Sequence, residues 1–222
     1  MVADICARLL DAHRGVEWLP GERTLSADLG VSRTSLREAI QRLEIQGLLE
    51  VRHGIGVRVV NNPQLPVRAT LLRELPDFDQ RLRQFSEVRV LLEPEIARRA
   101  AERMTDEERE RLASLQEQMR AAGDDTDEAV RADLDFHRFL AEVAGNRVLA
   151  LMLASIADLE EEARRITLVR VGLVAAYEQH RRIALAVVAG DGEAAYAAMA
   201  AHVIAAQREA QWPAASNALP HR

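Results

Sequence analysis

Apolar residues recur every three or four positions over most of this chain, the spacing of one buried helix face. Two short β-prone runs, at 48–52 and 57–60, interrupt that pattern. Ahead of them, residues 19–47 read as a short helix, a tight turn and a second helix. Leu25, Leu29 and Val31 bracket Gly30, a residue able to take the positive φ that ends a helix sharply. Ser32 is a good N-cap for the next helix. Val31 and Leu36 stand at hydrophobic-staple spacing around it. Leu36, Ala39, Ile40 and Leu43 then mark a buried face, and Gly47 closes the helix. The β-prone runs flank His53-Gly54-Ile55-Gly56, which predicts a two-stranded wing with a Gly-rich tip.

Asn61-Asn62-Pro63-Gln64-Leu65-Pro66 reads as a linker. From residue 78 to 210 the pattern is helical, with no strand signal and no repeat. Thr105-Asp106-Glu107-Glu108 is a capping box. Breaks are expected at Gly123-Asp124-Asp125, at Gly145-Asn146, weakly at Val171-Gly172 and firmly at Gly190-Asp191-Gly192, and Pro94 should kink its helix. The expected fold is mainly α: a winged helix-turn-helix over 1–62, a linker over 63–77, an all-α antiparallel bundle of about six helices over 78–210, and a frayed tail over 211–222.

Charge sharpens this division. Residues 1–60 hold eight arginines and eight acidic residues, so the net charge of −6 falls wholly on the remainder. A neutral head with focused arginines on an acidic body suits docking on DNA by one face. Lysine is absent, so every basic residue is Arg. The single Cys, Cys6, implies no disulfide framework and fits a reducing cytoplasm. No segment approaches the ~20 apolar residues of a membrane span, and no secretory signal is visible.

Candidate chemistry lies in both halves. Arg33, Thr34 and Arg37 follow the Ser32 cap at the start of the second helix, where a recognition helix reads bases. Arg grips guanine O6 and N7, and Thr meets a thymine methyl or a phosphate. His53 and Gly54 at the wing tip suit a minor groove. The bland alternative is a small helical domain with surface arginines. In the second half, Asp133 and His137 are four apart and share an apolar face with Val130, Phe136 and Leu140. His180 and His202 each lie eleven residues from Asp191, so an antiparallel hairpin brings them to one height. Three imidazoles and a carboxylate converging in a bundle would bind a first-row transition metal. A surface Asp–His pair and satisfied core histidines are the alternative.

The head resembles the winged helix-turn-helix of the GntR transcription-factor family. Leu19-Pro20-Gly21-Glu22-Arg23, Val31-Ser32-Arg33-Thr34-Ser35-Leu36-Arg37-Glu38-Ala39, Arg42-Leu43 and Gly47-Leu48 carry the resemblance, and His53-Gly54 is similar to the FadR branch. It implies DNA contacts at Arg23, Arg33, Thr34 and Arg37 and at His53 and Gly54, with Ser32 beside them at the helix start. Gly21 stands where the family usually has Ser, and the first helix begins almost at Met1. Residues 80–210 resemble the FCD ligand-binding domain through Glu87-Val88-Arg89, Leu92-Glu93-Pro94, Asp133-Leu134-Asp135-Phe136-His137, Ala144-Gly145-Asn146 and the stretch from His180 to His202.

That resemblance implies a metal, zinc or nickel, on Asp133, His137, His180 and His202. It also implies a small carboxylate effector held by the metal and Arg89. Glu93, one turn on, is the bland partner for Arg89. Asn146 is a second effector candidate, or a cap of the next helix. The implied function is a homodimeric regulator, usually a repressor, on a palindromic DNA operator. Three rivals stand beside it: a metal sensor without organic effector, a metal-free acyl-CoA sensor, and a metal-dependent hydrolase using Glu178 or Asp135.

Overall fold

The computed structural model describes residues 2–13, 16–52, 54–60, 62, 64–157 and 161–211, excluding the side chains of residues 162, 163, 210 and 211. His53 and the tail over 212–222 lie outside the described residues. Chain contacts divide the molecule into two compact units, Met1–Arg73 and Glu74–Arg222.

In the first unit, helices α1 (Val2–Ala12), α2 (Glu22–Leu29) and α3 (Arg33–Ile45) precede strands β1 (Leu49–Arg52) and β2 (Gly56–Val59). Ile5, Leu9, Leu25, Leu36, Leu43 and Leu49 are each at most 2% exposed and form one core, with Val31 packed at its edge. At about 1.5–3 kcal/mol per fully buried side chain, this cluster drives the three helices together. Gly30 ends α2 in the left-handed region at φ 64°, and Ser32 Oγ accepts from Ser35 N at 3.1 Å. Gly21 precedes α2 without a side-chain cap. The strands pair antiparallel with Leu49 opposite Val59 and Val51 opposite Val57.

A third extended segment joins the wing, which the periodicity does not suggest. Leu19 N donates to Val57 O at 2.8 Å, Val59 N donates to Glu17 O at 2.9 Å, and Trp18 bridges to Arg58. The stretch expected as a linker also carries structure: α4 (Leu65–Glu74) is a ten-residue helix. Pro66 falls in its first turn, where a missing N–H costs nothing.

The second unit is a bundle of α5 (Phe78–Arg103), α6 (Asp106–Ala121), α7 (Thr126–Val143), α8 (Arg147–Ala157), α9 (Glu161–Val171), α10 (Leu173–Val188) and α11 (Gly192–Gln211). The sequence predicts about six helices; the stretch expected as one, 147–171, is described as α8 and α9 on either side of residues 158–160. Helix α5 continues through Pro94 as one 26-residue element. The capping box closes on both sides at Thr105 and Glu108. Helices α10 and α11 form a hairpin about Gly190 and Asp191, whose Oδ1 accepts from Ala194 N at 2.9 Å. Helix α11 packs along α5, and α7 lies against α5, α6 and α9. Among the described residues, no helix is long and apolar enough to cross a membrane.

Gly47 is the tightest backbone position of the first unit. Its φ is +71°, and a Cβ there would collide with the Asn62 carbonyl oxygen. A Cβ on Gly30, at φ +64°, meets open space. Gly30→Ala should cost about 1–2 kcal/mol, the left-handed penalty alone. Gly47→Ala should cost roughly 2 kcal/mol more through overpacking. Urea unfolding measures both, and equal losses would overturn the crowding argument.

Candidate metal centre and DNA-reading face

The four residues expected to bind metal meet inside the second unit. Asp133 and His137 project inward one turn apart on α7, His180 comes from α10 and His202 from α11, and all four are buried. One ligand atom from each lies within 4.8 Å of all the others. His180 Nε2 is 3.2 Å from His137 Nε2 and 3.0 Å from Asp133 Oδ1. The rings of His180 and His202 are centred 4.4 Å apart, the equal height that the hairpin implies.

What orients the rings is a second layer of acceptors. His180 Nδ1 donates to Ala176 O at 2.8 Å, and His202 Nδ1 donates to Gln179 Oε1 at 2.8 Å. His137 Nδ1 lies 2.5 Å from Glu93 Oε2 on α5. A carbonyl oxygen cannot donate, so the His180 proton is on Nδ1 and its Nε2 lone pair points inward. The Gln179 amide oxygen aims the His202 ring in the same way, and at His137 the Glu93 carboxylate is the group facing Nδ1, in close contact but without hydrogen-bond geometry. Lone pairs facing each other at 3.2 Å beside a carboxylate repel unless a cation lies among them. This donor set therefore fits a divalent transition metal, with the Nδ1 acceptors serving as its outer support.

Electrostatics agree. Burial pushes the His137 imidazolium down to about 4, although Glu93 and Asp133 pull the other way. Burial and the neighbouring His180 and His137 depress His202 as well. These rings are neutral near pH 7, the form a metal binds. Burial opposes ionisation of Asp133 and Glu93, yet both carboxyls are held well below the usual range, Asp133 chiefly by the Arg164 guanidinium and Glu93 chiefly by that of Arg89.

Arg164 and Glu93 are the residues that sequence reasoning underrated. Arg164 on α9 bonds Asp133 Oδ2 and is 3% exposed. It follows an acidic block, Glu160-Glu161-Glu162, in a stretch where the sequence alone points to no chemistry. The signal available was its place on one stripe with Leu168 and Val171. Arg89, the expected effector contact, is 7% exposed, and its Nε donates to Glu93 Oε1 at 2.5 Å. Arg89 also lines a cavity of about 20 Å³ with Asp133, Arg164, Gln179 and His202. A cleft of about 140 Å³ adjoins it, sharing Asp133, Leu168 and Ala176. Asn146 is not brought to this site. Its Oδ1 accepts from Val148 N at 3.0 Å and Leu149 N at 3.3 Å, so it caps α8. Asp135 and Glu178 point away and pair with Arg138 and Arg181.

On the first unit, Ser32, Arg33, Thr34 and Arg37 are exposed over the cap and first two turns of α3, and Arg23 is exposed at the start of α2. Arg37 Nε donates to both carboxylate oxygens of Glu22, at 2.8 and 3.1 Å. Gly54, at φ 78°, and Ile55 form the exposed wing tip.

Comparison with known proteins yields two family matches: residues 84–205 match the FCD domain, and residues 11–59 match "Bacterial regulatory proteins, gntR family". The chain is 34% identical over 202 residues to the HTH-type transcriptional regulator LutR of Bacillus subtilis, covering 84% of this chain and 90% of that protein. It is 34% identical to the HTH-type transcriptional repressor NanR of Cronobacter sakazakii over 64% of this chain and 56% of that one. A solved structure of Streptococcus agalactiae GntR aligns with a TM-score of 0.74 at 28% identity, over 94% of this chain and all of that one.

The depressed imidazoles make the metal-free protein acid-labile. An unfolded histidine takes up a proton near pH 6.5, whereas native His137 refuses it until about 4. Stability should therefore fall as pH drops through that window, by roughly 3 kcal/mol for this group. The two carboxyls act in the same direction only below about 4.5, where their unfolded forms protonate. Thermal melts of chelated protein check this, and a flat profile from pH 6.5 to 4.5 would show the rings are not held neutral.

Proposed function

The chain belongs to the gntR family of bacterial regulatory proteins and carries its FCD domain, and from that premise we propose that a divalent metal and a small organic acid, bound together in the bundle, control its grip on operator DNA. It is a DNA-binding transcriptional regulator and not an enzyme. The observation that carries the proposal is the convergence of Asp133, His137, His180 and His202, with two buried arginines beside them.

The bound ion, zinc or nickel, would supply a Lewis-acidic centre to which a carboxylate oxygen can coordinate. Arg89 and Arg164 would hold the acid's remaining charge. The cavity between them, about 20 Å³, has room for roughly one water, so an acid can enter only if lining side chains move. The adjoining cleft gives Leu168 and its helix somewhere to go. A ligand that binds the shifted arrangement better biases the protein toward it, and DNA affinity changes by that difference. At the other unit, Arg33 and Arg37 would read guanine edges in a major groove, Thr34 and Arg23 would meet phosphate or thymine, and the Gly54 tip would follow the minor groove. A homodimer would place two such helices on successive grooves of a palindrome. Control by the metal alone is the second reading, favoured by the small cavity, and a response to acids at constant metal would exclude it.

His180→Ala should leave the fold intact and strip the metal, so DNA binding no longer changes on chelation and zinc return. Elemental analysis and fluorescence anisotropy read both, and full metal occupancy in the variant would overturn the ligand assignment. Arg37→Ala should cost about 1–3 kcal/mol of discrimination at one base position, read by selection from a randomised duplex library. Unchanged sequence preference would reject the groove assignment.

A further inference from the structure

Metal and acid share one residue. Glu93 is 1% exposed on α5. Its Oε2 faces His137 Nδ1 at 2.5 Å, and its Oε1 accepts from Arg89 Nε at 2.5 Å. Arg164 Nη2 lies 4.0 Å from that same Oε1. One buried carboxylate thus touches a metal ligand with one oxygen and the acid-binding arginine with the other.

We infer that Glu93 is a positioning residue that couples the two sites: without metal its carboxylate stands on Arg89 in place of an incoming acid, and a divalent ion on His137 draws it off. The inference rests on the metal-and-acid reading above. Its physical basis is competition. A cation at His137 Nε2 withdraws electron density from the ring and makes Nδ1–H a stronger donor. Glu93 then commits more of its charge to His137 and less to Arg89.

Charge counting gives the same coupling. Arg89 and Arg164 balance Glu93 and Asp133, and all four are at least nine-tenths buried. An acid arriving first adds an unmatched negative charge to a neutral interior, which is costly. A divalent ion arriving first leaves the interior positive, and the acid then reduces the excess. Metal therefore favours the acid, and each should tighten the other by the same factor.

The experiment uses the full chain, either zinc-loaded or metal-stripped, with zinc, acetate and succinate as probes in calorimetry. The wild type should bind the acids at least tenfold more tightly when loaded. Glu93→Gln keeps the shape and removes the charge. Its zinc affinity should fall about 10–100-fold, while acid binding to the stripped protein should rise several-fold. Those opposite signs mark a coupling role, since a merely structural role lowers both. Arg89→Gln serves as the second variant should Glu93→Gln fail to fold. It should lose the acids and bind zinc at least as tightly as the wild type. A tenfold loss of zinc affinity in Arg89→Gln would overturn the inference, and so would a parallel loss of both ligands in Glu93→Gln. Equal acid affinity of loaded and stripped wild type would overturn the coupling alone. If the wild type binds no zinc, or neither acid in either form, the underlying reading falls and the inference with it.

Discussion

Three imidazoles can stand side by side in a protein interior only if something outside each ring decides where its proton sits. Here that role falls to a carbonyl of α10, an amide oxygen of α10 and a carboxylate of α5. Each faces an outward nitrogen and leaves the inward one as a donor atom. The rest of the bundle follows from this requirement. Helix α7 must present Asp133 and His137 on one stripe, the α10–α11 hairpin must bring His180 level with His202, and α5 must pass close enough to lend Glu93. The buried arginines complete it, because two carboxylates cannot stay ionised in that volume without them.

Much of this was legible in the sequence. The recognition helix announced itself through Gly30, Ser32 and the apolar stripe of α3, because caps and stripes are local and a few residues decide them. The convergence of Asp133, His137, His180 and His202 was legible because Asp133 and His137 share a helix face and because Gly190-Asp191-Gly192 marks a turn from which two distances can be counted. What stayed hidden depends on partners far apart in the chain. Nothing near Arg164 names Asp133 as its partner, 31 positions away. Gln179 looks like any surface residue until α11 packs against it. The helix at 65–74 hid behind a stretch rich in Pro and Asn; Pro66, the one inside the helix, breaks a run in general but is harmless in a first turn. Asn146 satisfied two patterns at once, and the local one, a helix cap, is what the structure holds.

The two units use arginine in contrasting ways. On α3 the guanidinium groups are exposed, where Arg37 leans on Glu22 and its pairing energy is small. In the bundle the same group is desolvated and carries decisive weight, since leaving Asp133 or Glu93 unmatched would be severely destabilising. Arginine suits both settings through one property: a planar fork that can hold one partner while presenting hydrogens to another.

The strand-like segment at 17–19 has a mechanical consequence for the wing. A lone two-stranded ribbon would pivot on its base, but this one is sewn along its outer side to the chain that joins α1 to α2. It behaves as a clamped beam with only its last few residues overhanging. How far the tip projects is then set by where the stitching stops, so trimming or padding the stretch between α1 and α2 would retune that projection without altering a single side chain of the tip.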